Sequence, residues 1–241
     1  MMTGNQLLRE QYGREQVPQL DVPNWLLRLL NRFGISRALY ISSLLKSGDR
    51  LLDLGCGNAD LLRLIQNKFA LCVGVDVIRE RLRYAQTTTA SFHLLANDLN
   101  QAIPFRSESF DCVTALHTLE WVYDLNQCLR ETNRVLKPEG QFILQVSNLG
   151  FFWKRFRLLF GFYPKTSAFA QSEWPRIGWD SNACHMFTKK ELIRFLKAFG
   201  FTVKKVTGTG IFYSWRNWWP SLLCGDLILL CQKEENNFSH Q

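Results

Sequence analysis

Short apolar runs alternate along the chain with segments in which apolar residues recur at helical spacing. The runs are too short and too rich in β-branched residues for helices, whereas the segments between them have the period of an amphipathic helix. The predicted strands are 51–54, 71–75, 92–96, 110–116, 141–147, 201–206 and 223–231. The predicted helices are 5–16, 24–45, 60–69, 78–90, 124–136 and 188–199, the last opened by a capping box at Thr188.

Strands that alternate with helices favour a parallel sheet covered on both faces. The last two predicted strands have no helical segment between them, so we expect them to pair antiparallel. We also expect Lys137 to Gly140 to be a turn that ends a helix. The 241 residues fit one α/β domain. Residues 1–45 are predicted as an N-terminal helical cap and residues 148–187 as an insert.

The first predicted strand ends in an acid, Asp53, followed by a Gly-x-Gly turn at Gly55 and Gly57. Glycines let the backbone bend sharply and approach a ligand closely. A dinucleotide fold would place a pyrophosphate on a Gly-x-Gly-x-x-Gly turn. Here Asp60 stands where the third glycine would fall, and Asp53 would repel a phosphate. The pattern therefore favours a cationic nucleoside without phosphate, such as S-adenosylmethionine.

The second predicted strand ends at Asp76, nineteen residues past Gly57. An acid at this position can accept hydrogen bonds from both ribose hydroxyls, in nicotinamide and adenosylmethionine enzymes alike. Asp76 therefore supports a nucleoside without choosing between the two. The choice against a nicotinamide dinucleotide depends on Asp53 and on the missing third glycine.

Several motifs in order resemble those of class I S-adenosylmethionine-dependent methyltransferases. They are Asp53–Asn58, Val75–Asp76, Asn97–Leu99, Phe110–Val113, Leu119–Val122 and Arg134–Gly140, and the resemblance is close over residues 49 to 147. It implies a Rossmann-like, seven-stranded, mostly parallel sheet with helices on both faces and an antiparallel last strand. It also implies S-adenosyl-L-methionine as the cofactor. The chain departs from the family at Trp121, where many relatives carry His, and at Glu139, where Gly is usual.

The resemblance implies a cofactor site at the ends of the strands. Its predicted members are Asp53, Gly55, Cys56, Gly57, Asp76, Val77, Asp98, Leu99 and His117. Methyl transfer from a sulfonium is a direct displacement, in which the protein chiefly orients the two molecules and excludes water. A base helps when the acceptor is a hydroxyl or a protonated amine. His117 and His185 are the candidate catalytic residues, with a histidine at a helix entry as the alternative interpretation of His185.

The formal net charge of +8 lies almost wholly in the C-terminal part. Residues 150–241 hold 13 basic and 6 acidic side chains, whereas residues 1–149 are nearly balanced. Such a basic half suits nucleic acid, an anionic substrate or an acidic membrane, and it is equally typical of a solvated surface. We see no base-flipping motif and no separate nucleic-acid module, so a nucleic-acid partner is disfavoured. A small-molecule acceptor is the expected partner.

The segment 151–163 interleaves aromatic residues with three cations. It can lie on an anionic membrane surface, stack on nucleic acid, or cover a pocket for an apolar acceptor. The plainest alternative is a helix packed on the core with its cations outward. We favour an acceptor-side pocket cover and keep peripheral membrane contact open. Trp215, Trp218 and Trp219 can likewise form a hydrophobic patch for a partner or cover the end of the sheet.

A second resemblance is to MetW-type proteins of the methyltransferase type 11 group. It is carried by Ser147–Gly150, Arg155, Arg157, Leu158, Leu159, Trp174, Trp179 and His185–Thr188. MetW-type proteins are linked to methionine biosynthesis and to partnership with a homoserine acyltransferase. The resemblance implies an alternative function, in which the nucleoside site is retained but the protein acts by binding a partner enzyme.

The seven cysteines are scattered and include no Cys-x-x-Cys pair. We therefore expect reduced thiols, with neither a metal site nor a disulfide framework. The N-terminus lacks the apolar core of a secretory signal, and no uncharged apolar run reaches the ~18 residues that a membrane span needs. The expected location is the cytoplasm.

Overall fold

A computed structural model describes residues 34–35, 37–87, 91–164 and 183–235. Within these ranges the strands are Gly34–Ile35 (β1), Gly48–Leu54 (β2), Phe69–Asp76 (β3), Phe92–Ala96 (β4), Phe110–Leu116 (β5), Leu136–Ser147 (β6), Phe201–Thr207 (β7), Gly210–Ile211 (β8) and Asp226–Lys233 (β9). The α-helices are Arg37–Leu44 (α1), Asp60–Ile65 (α2), Arg79–Gln86 (α3), Leu125–Val135 (α4), Phe152–Leu159 (α5), Lys189–Ala198 (α6), Tyr213–Arg216 (α7) and Pro220–Leu223 (α8), and Gln66–Lys68 is a 3₁₀ turn.

Seven strands form one sheet in the order β4-β3-β2-β5-β6-β9-β7. Neighbouring strands from β4 to β6 are parallel, and β9 is antiparallel to both β6 and β7. Only the last strand of this sheet is therefore reversed, which confirms the predicted Rossmann-like α/β fold. The short strands β1 and β8 form a separate antiparallel pair.

Both faces of the sheet are covered. Leu51 and Leu52 are adjacent in β2 and have no solvent exposure, although successive side chains of a strand point to opposite faces. Leu51 belongs to a core with residues of α1, α2 and α3, and Leu52 belongs to a core with residues of α4 and α6. Burial on both faces explains why the central strands are continuous apolar runs.

Two helix starts have side-chain caps that the sequence signals. Asp124 accepts a 2.9 Å hydrogen bond from the backbone N–H of Gln127 at the start of α4. Thr188 accepts one of 3.4 Å from the N–H of Glu191 at the start of α6, as predicted. Such caps satisfy donors that the first helical turn leaves free.

Some boundaries differ from the predictions. The predicted turn from Lys137 to Gly140 lies inside β6, which begins at Leu136 and contains a register shift opposite β5. Glu139 has a φ of 58°, so the chain bulges there without leaving the sheet. The predicted helix 60–69 ends at Ile65, and the helix 78–90 ends at Gln86. The helices α7 and α8 were not predicted, because aromatic and turn residues mask their short apolar pattern.

Parts of the predicted architecture lie outside the described residues. They include the helix 5–16, most of the helix 24–45 and thus most of the cap 1–45, and residues 165–182 of the insert with Trp174 and Trp179. The described end of the second helix is α1. No helix in the described ranges is long and apolar enough to cross a membrane.

The sheet topology brings several chain segments to one edge. The carboxyl ends of β2 to β7 all lie at this edge, since β7 follows the parallel direction, and β9 begins there because Ser147 pairs with Asp226. Open α/β sheets bind ligands at this edge. The segments after β2, β3, β4 and β5 surround the candidate site at this edge.

Candidate functional site at the carboxyl edge of the sheet

The turn after β2 has the backbone geometry that its glycines predict. Gly55 and Gly57 have φ values of 68° and 53°, in the left-handed region. At Gly55 a Cβ atom would lie 2.5 Å from Oγ1 of Thr118, so the position also lacks space for a side chain. The N–H groups of Gly55 and Cys56 both donate to the carbonyl of Val75, at 2.8 and 3.0 Å. The turn is thus fastened to the end of β3.

Asp76 ends β3 and is 7% exposed. Its Oδ2 accepts a 2.8 Å hydrogen bond from the N–H of Gly57, and its Oδ1 accepts one of 2.8 Å from the N–H of Ile78. Backbone amides of two different loops therefore fix the carboxylate. An acid held in this way keeps further lone pairs for a ligand.

Asp98 follows β4 and is held by a local turn. Its Oδ1 accepts hydrogen bonds from the backbone N–H and the side-chain amide of Asn100, at 3.0 and 2.7 Å. The backbone N–H of Asn97 donates to the carbonyl of Asp76 at 3.0 Å. Leu99 is buried. The end of β4 is thereby joined to the end of β3.

These loops enclose a cavity of about 310 Å³, within the size range of small-molecule sites. Its wall is Gly55, Asp76, Val77, Ile78, Arg81, Asn97, Asp98, Leu99, Asn100, Leu116, His117, Thr118, Trp121 and Val122. Six of the nine predicted cofactor residues therefore belong to the wall. Asp53, Cys56 and Gly57 do not, so their contact with a ligand stays a prediction.

Asp53 lies behind the wall, inside the sheet. It is 3% exposed, and its Oδ1 accepts a 2.6 Å hydrogen bond from the hydroxyl of Thr114. Burial raises the pKa of Asp53 to about 7; the Thr114 hydroxyl opposes the rise and the nearby Asp76 adds to it. Near neutral pH the carboxyl is therefore only partly ionised, although the prediction from the sequence assumed a full negative charge.

Cys56 fills the middle of the turn as a small buried group. Burial strongly raises the pKa of its thiol, and the negative charges of Asp53 and Asp76 raise it further. Cys56 is therefore a neutral thiol with little nucleophilic character.

His117 follows β5 and has a φ of 54°. Its Nδ1 lies 3.1 Å from Oε1 of Glu120, and its Nε2 lies 3.5 Å from Oδ2 of Asp226. Burial by itself lowers the pKa of His117, but the hydrogen bonds to Asp226 and Glu120 outweigh it and raise the pKa to about 9. The imidazole is therefore protonated at neutral pH and holds no lone pair for a base.

Glu120 joins the loop after β5 to the end of β6. Its Oε1 accepts a 2.7 Å hydrogen bond from the N–H of Ser147, and the hydroxyl of Ser147 accepts one of 2.6 Å from Nζ of Lys154. Oε2 of Glu120 is buried and has no hydrogen-bond partner among the described residues. The segment after β6 is thus connected to the cavity through His117 and Glu120.

His185 lies apart from the cavity wall. Its ring atom Nε2 is 3.3 Å from the carbonyl oxygen of Tyr123. Its backbone N–H donates a 3.1 Å hydrogen bond to the carbonyl of Glu120. The structure therefore places it behind the 120–123 loop, which it supports. Its catalytic role stays a prediction that this position does not favour.

Sequence reasoning missed some wall residues. Arg81 was noted only as part of an arginine-rich helix, and Thr118 carried no signal by itself. Trp121 was noted as a departure from the family, and the structure places it in the wall. No group of three His, Cys, Asp or Glu side chains in the described ranges is arranged to hold a metal ion.

The sheet is parallel with a reversed last strand, and a cavity lies between its glycine turn and the acids that follow the next strands. This combination is typical of nucleoside-binding Rossmann-like proteins. Residues 52–144 match the family described as methyltransferase domain. The part of the chain that encloses the cavity is thus similar to a methyltransferase domain.

Comparison with individual proteins gives partial matches. The chain is 32% identical over 126 residues to an uncharacterised protein of Methanocaldococcus jannaschii. The aligned stretch covers 52% of this chain and 45% of that protein. The chain is 31% identical over 170 residues to the ubiquinone/menaquinone biosynthesis C-methyltransferase UbiE of Xylella fastidiosa. This aligned stretch covers 66% of this chain and 63% of that protein. The matches therefore span about half to two thirds of these relatives.

The fold is also found in solved structures. A SAM-dependent methyltransferase of Methanosarcina mazei superposes with a TM-score of 0.61 at 23% identity, over 82% of this chain and 98% of that chain. At this identity the likeness concerns the fold.

Proposed function

We propose that this protein transfers a methyl group from S-adenosylmethionine to a small organic acceptor by direct displacement. One observation carries the proposal: a single cavity is bounded by the glycine turn after β2, by Asp76 after β3 and by Asp98–Leu99 after β4. These segments belong to the stretch that matches the methyltransferase domain family.

The residues present fit this cofactor. Asp76 is fixed by two backbone amides and suits the two hydroxyls of a ribose. Leu99, Ile78 and Val122 give the wall apolar surface for a planar base. Asp98 provides a hydrogen-bond acceptor beside it. The lack of a third glycine and the acids around the turn disfavour a pyrophosphate.

When bound, the cofactor supplies a methyl group activated by its positively charged sulfur. The chain's own part is to bind and orient the acceptor and to exclude water. Leu116 and Trp121 provide apolar surface in the wall, whereas both N–H groups of protonated His117 are directed at Glu120 and Asp226. His117 therefore holds the loop after β5 to Glu120 and Asp226 at the edge of the cavity and does not remove a proton.

The apolar part of the wall, with Leu116 and Trp121, suits an aromatic acceptor. The Xylella fastidiosa relative is named for ubiquinone and menaquinone biosynthesis. Aromatic quinone precursors are therefore the first acceptors to test.

Calorimetric titration with S-adenosylmethionine and with NADH tests the cofactor. We expect binding of S-adenosylmethionine and none, or much weaker binding, of NADH. Tight binding of NADH alone would overturn the proposal. The transfer itself is tested by incubation with a donor labelled in its methyl group, first with aromatic acceptors and then with host extract. A labelled product that is absent with the Asp76→Ala variant is the expected result.

The MetW-like alternative makes a different prediction in the same experiment. A protein that acts by binding would copurify with a stoichiometric partner enzyme from its host and give no labelled product, although S-adenosylmethionine still binds. The similarities to known proteins do not favour this alternative, and it stays a prediction from the sequence. A labelled product without a partner would exclude it.

A further inference from the structure

We propose that residues 151–163 and 212–219 form one surface that binds an anionic phospholipid bilayer at the level of its headgroups. We call this surface the rim surface. It is distinct from the cavity, and its binding to a bilayer is a property beyond methyl transfer. The two segments are continuous at the sheet edge, most of their large apolar side chains are exposed, and their charged side chains are all positive.

The two segments are fastened together at the carboxyl edge of the sheet. The side-chain amide of Asn148, just before α5, donates to the carbonyls of Cys224 and Ser221, at 2.8 and 3.1 Å. The guanidinium of Arg216 lies 6.0 Å from the centre of the Phe151 ring. Because β6 and β9 pair at Ser147 and Asp226, the segments that leave them emerge side by side.

Most large apolar side chains of the rim surface are exposed to solvent. Of the sixteen large hydrophobic residues that are exposed in the described ranges, eleven lie in these two segments. Trp218 is 82% exposed and Leu159 is 79% exposed. Helix α5 has no buried residue, whereas a helix of a globular domain normally buries its apolar face. A concentration of this kind marks an interaction site.

The charge of the rim surface has one sign. Lys154, Arg155, Arg157 and Arg216 are its cations, and neither 148–164 nor 208–225 contains an acid. Cations among Trp, Phe and Leu are the composition of segments that lie in a membrane interface and contact anionic lipid. Stacking on nucleic acid would use the aromatic rings but not the exposed aliphatic Leu158 and Leu159. A second copy would present the same positive charge and be repelled.

The position of the rim surface gives the contact a consequence. It lies at the sheet edge that also holds the cavity, and Lys154 connects it to the wall through Ser147 and Glu120. Bilayer contact would bring the cavity close to the headgroups. If the proposed function is correct, acceptors dissolved in the bilayer would have a short path to it.

Sedimentation of the full chain with vesicles tests the proposal. We expect binding to phosphatidylcholine vesicles that contain about a third phosphatidylglycerol, weaker binding to pure phosphatidylcholine, and weakening by salt. Trp153→Ser with Trp218→Ser should lower the partition coefficient by roughly tenfold or more, because exposed apolar surface is lost. Arg155→Gln with Arg157→Gln should lower it by roughly 25-fold, since each cation contributes a factor of about five.

The matched control is Tyr84→Ser, which removes a 65% exposed aromatic ring from α3, outside the rim surface. Its partition coefficient should equal that of the unaltered chain. Circular dichroism and S-adenosylmethionine binding of all variants establish that they are folded, independently of any vesicle result. Equal binding to neutral and anionic vesicles, or unchanged binding of both double variants, would overturn the proposal. Shift of RNA without vesicle binding, or a dimer that both double variants abolish, would also overturn it.

Discussion

The backbone N–H of Gly57 donates a 2.8 Å hydrogen bond to Oδ2 of Asp76, across nineteen positions of the sequence. The other carboxylate oxygen accepts from the N–H of Ile78. The two sequence motifs are therefore parts of one hydrogen-bonded unit. Because the carboxylate is already held in the free protein, a ligand that binds it does not have to order it.

Replacement of Asp76 by Ala should weaken the binding of S-adenosylmethionine by about 2–4 kcal/mol, because charge-assisted hydrogen bonds to the ribose are lost. Isothermal titration calorimetry measures this change as a loss of roughly 30- to 1000-fold in affinity.

Asp60→Ala is the matched control for Asp76→Ala. Its carboxylate lies at the start of α2 near the same turn, but the side chain is 87% exposed and pairs only with Arg63 in the described structure. The affinity of the Asp60→Ala variant for S-adenosylmethionine should equal that of the unaltered chain. Unchanged affinity of Asp76→Ala would remove Asp76 from the site.

Alanine at the two turn glycines should give unequal losses of stability. At Gly57 a Cβ atom would have no neighbour within 4 Å, so only the positive φ is unfavourable, at about 1 kcal/mol. At Gly55 the Cβ would also collide with Thr118, whose hydroxyl donates to the carbonyl of Leu54, and the total should be about 2–4 kcal/mol. Urea unfolding of both variants measures the difference. Equal losses of stability would show that the Thr118 side chain moves away from the added Cβ atom without a loss of free energy.

The sequence was sufficient to predict where Gly55, Asp76 and Asp98 lie, because the carboxyl ends of parallel strands meet at one edge whatever the register. The surroundings of Asp53 depended on register. Asp53 pairs with Thr114 across β2 and β5, so the two side chains are neighbours on one face of the sheet. No spacing rule relates residues 53 and 114, and the buried position of this acid could not be predicted.

The same holds for His117. Its partner Asp226 comes from the reversed strand β9, whose position opposite Ser147 is fixed by the long antiparallel ladder with β6. The sequence predicted the antiparallel pairing but not its register. Without Asp226 a histidine past β5 could be interpreted as a base, whereas the two carboxylates make it a cation.

His117→Asn should remove a pH-dependent part of the stability. The folded pKa of about 9 exceeds the ordinary 6.5, so the contribution is complete below pH 6.5 and is lost as the pH rises through 9. Allowing for solvent screening of a side chain that is 31% exposed, we expect about 1–2 kcal/mol. Asn tolerates the positive φ at this position.

Urea unfolding of both proteins across this pH range measures the contribution of His117. The free energies of unfolding should differ most at or below pH 6.5 and converge above pH 9. A difference that is constant with pH would mean that His117 acts through packing alone.

Asp53→Asn should stabilise the free protein at alkaline pH. Burial raises the folded pKa to about 7 from the ordinary 3.8, so the folded state keeps its proton where the unfolded state loses it. Stability therefore falls as the pH rises from 3.8 to 7 and stays low above that. Asn is neutral and can still accept the Thr114 hydroxyl. The gain above pH 7 should be about 2–4 kcal/mol and should vanish near pH 3.8.

Titration calorimetry of S-adenosylmethionine tests whether this acid also senses the ligand. A cation placed near Asp53 favours the carboxylate and lowers its pKa in the complex, so binding should release a proton near pH 7. Affinity should then rise with pH up to about 7 and level off. Buffers of different ionisation enthalpy reveal the released proton as a change in the observed heat. Asp53→Asn should bind without proton release, and equal release from both proteins would assign the proton to another group.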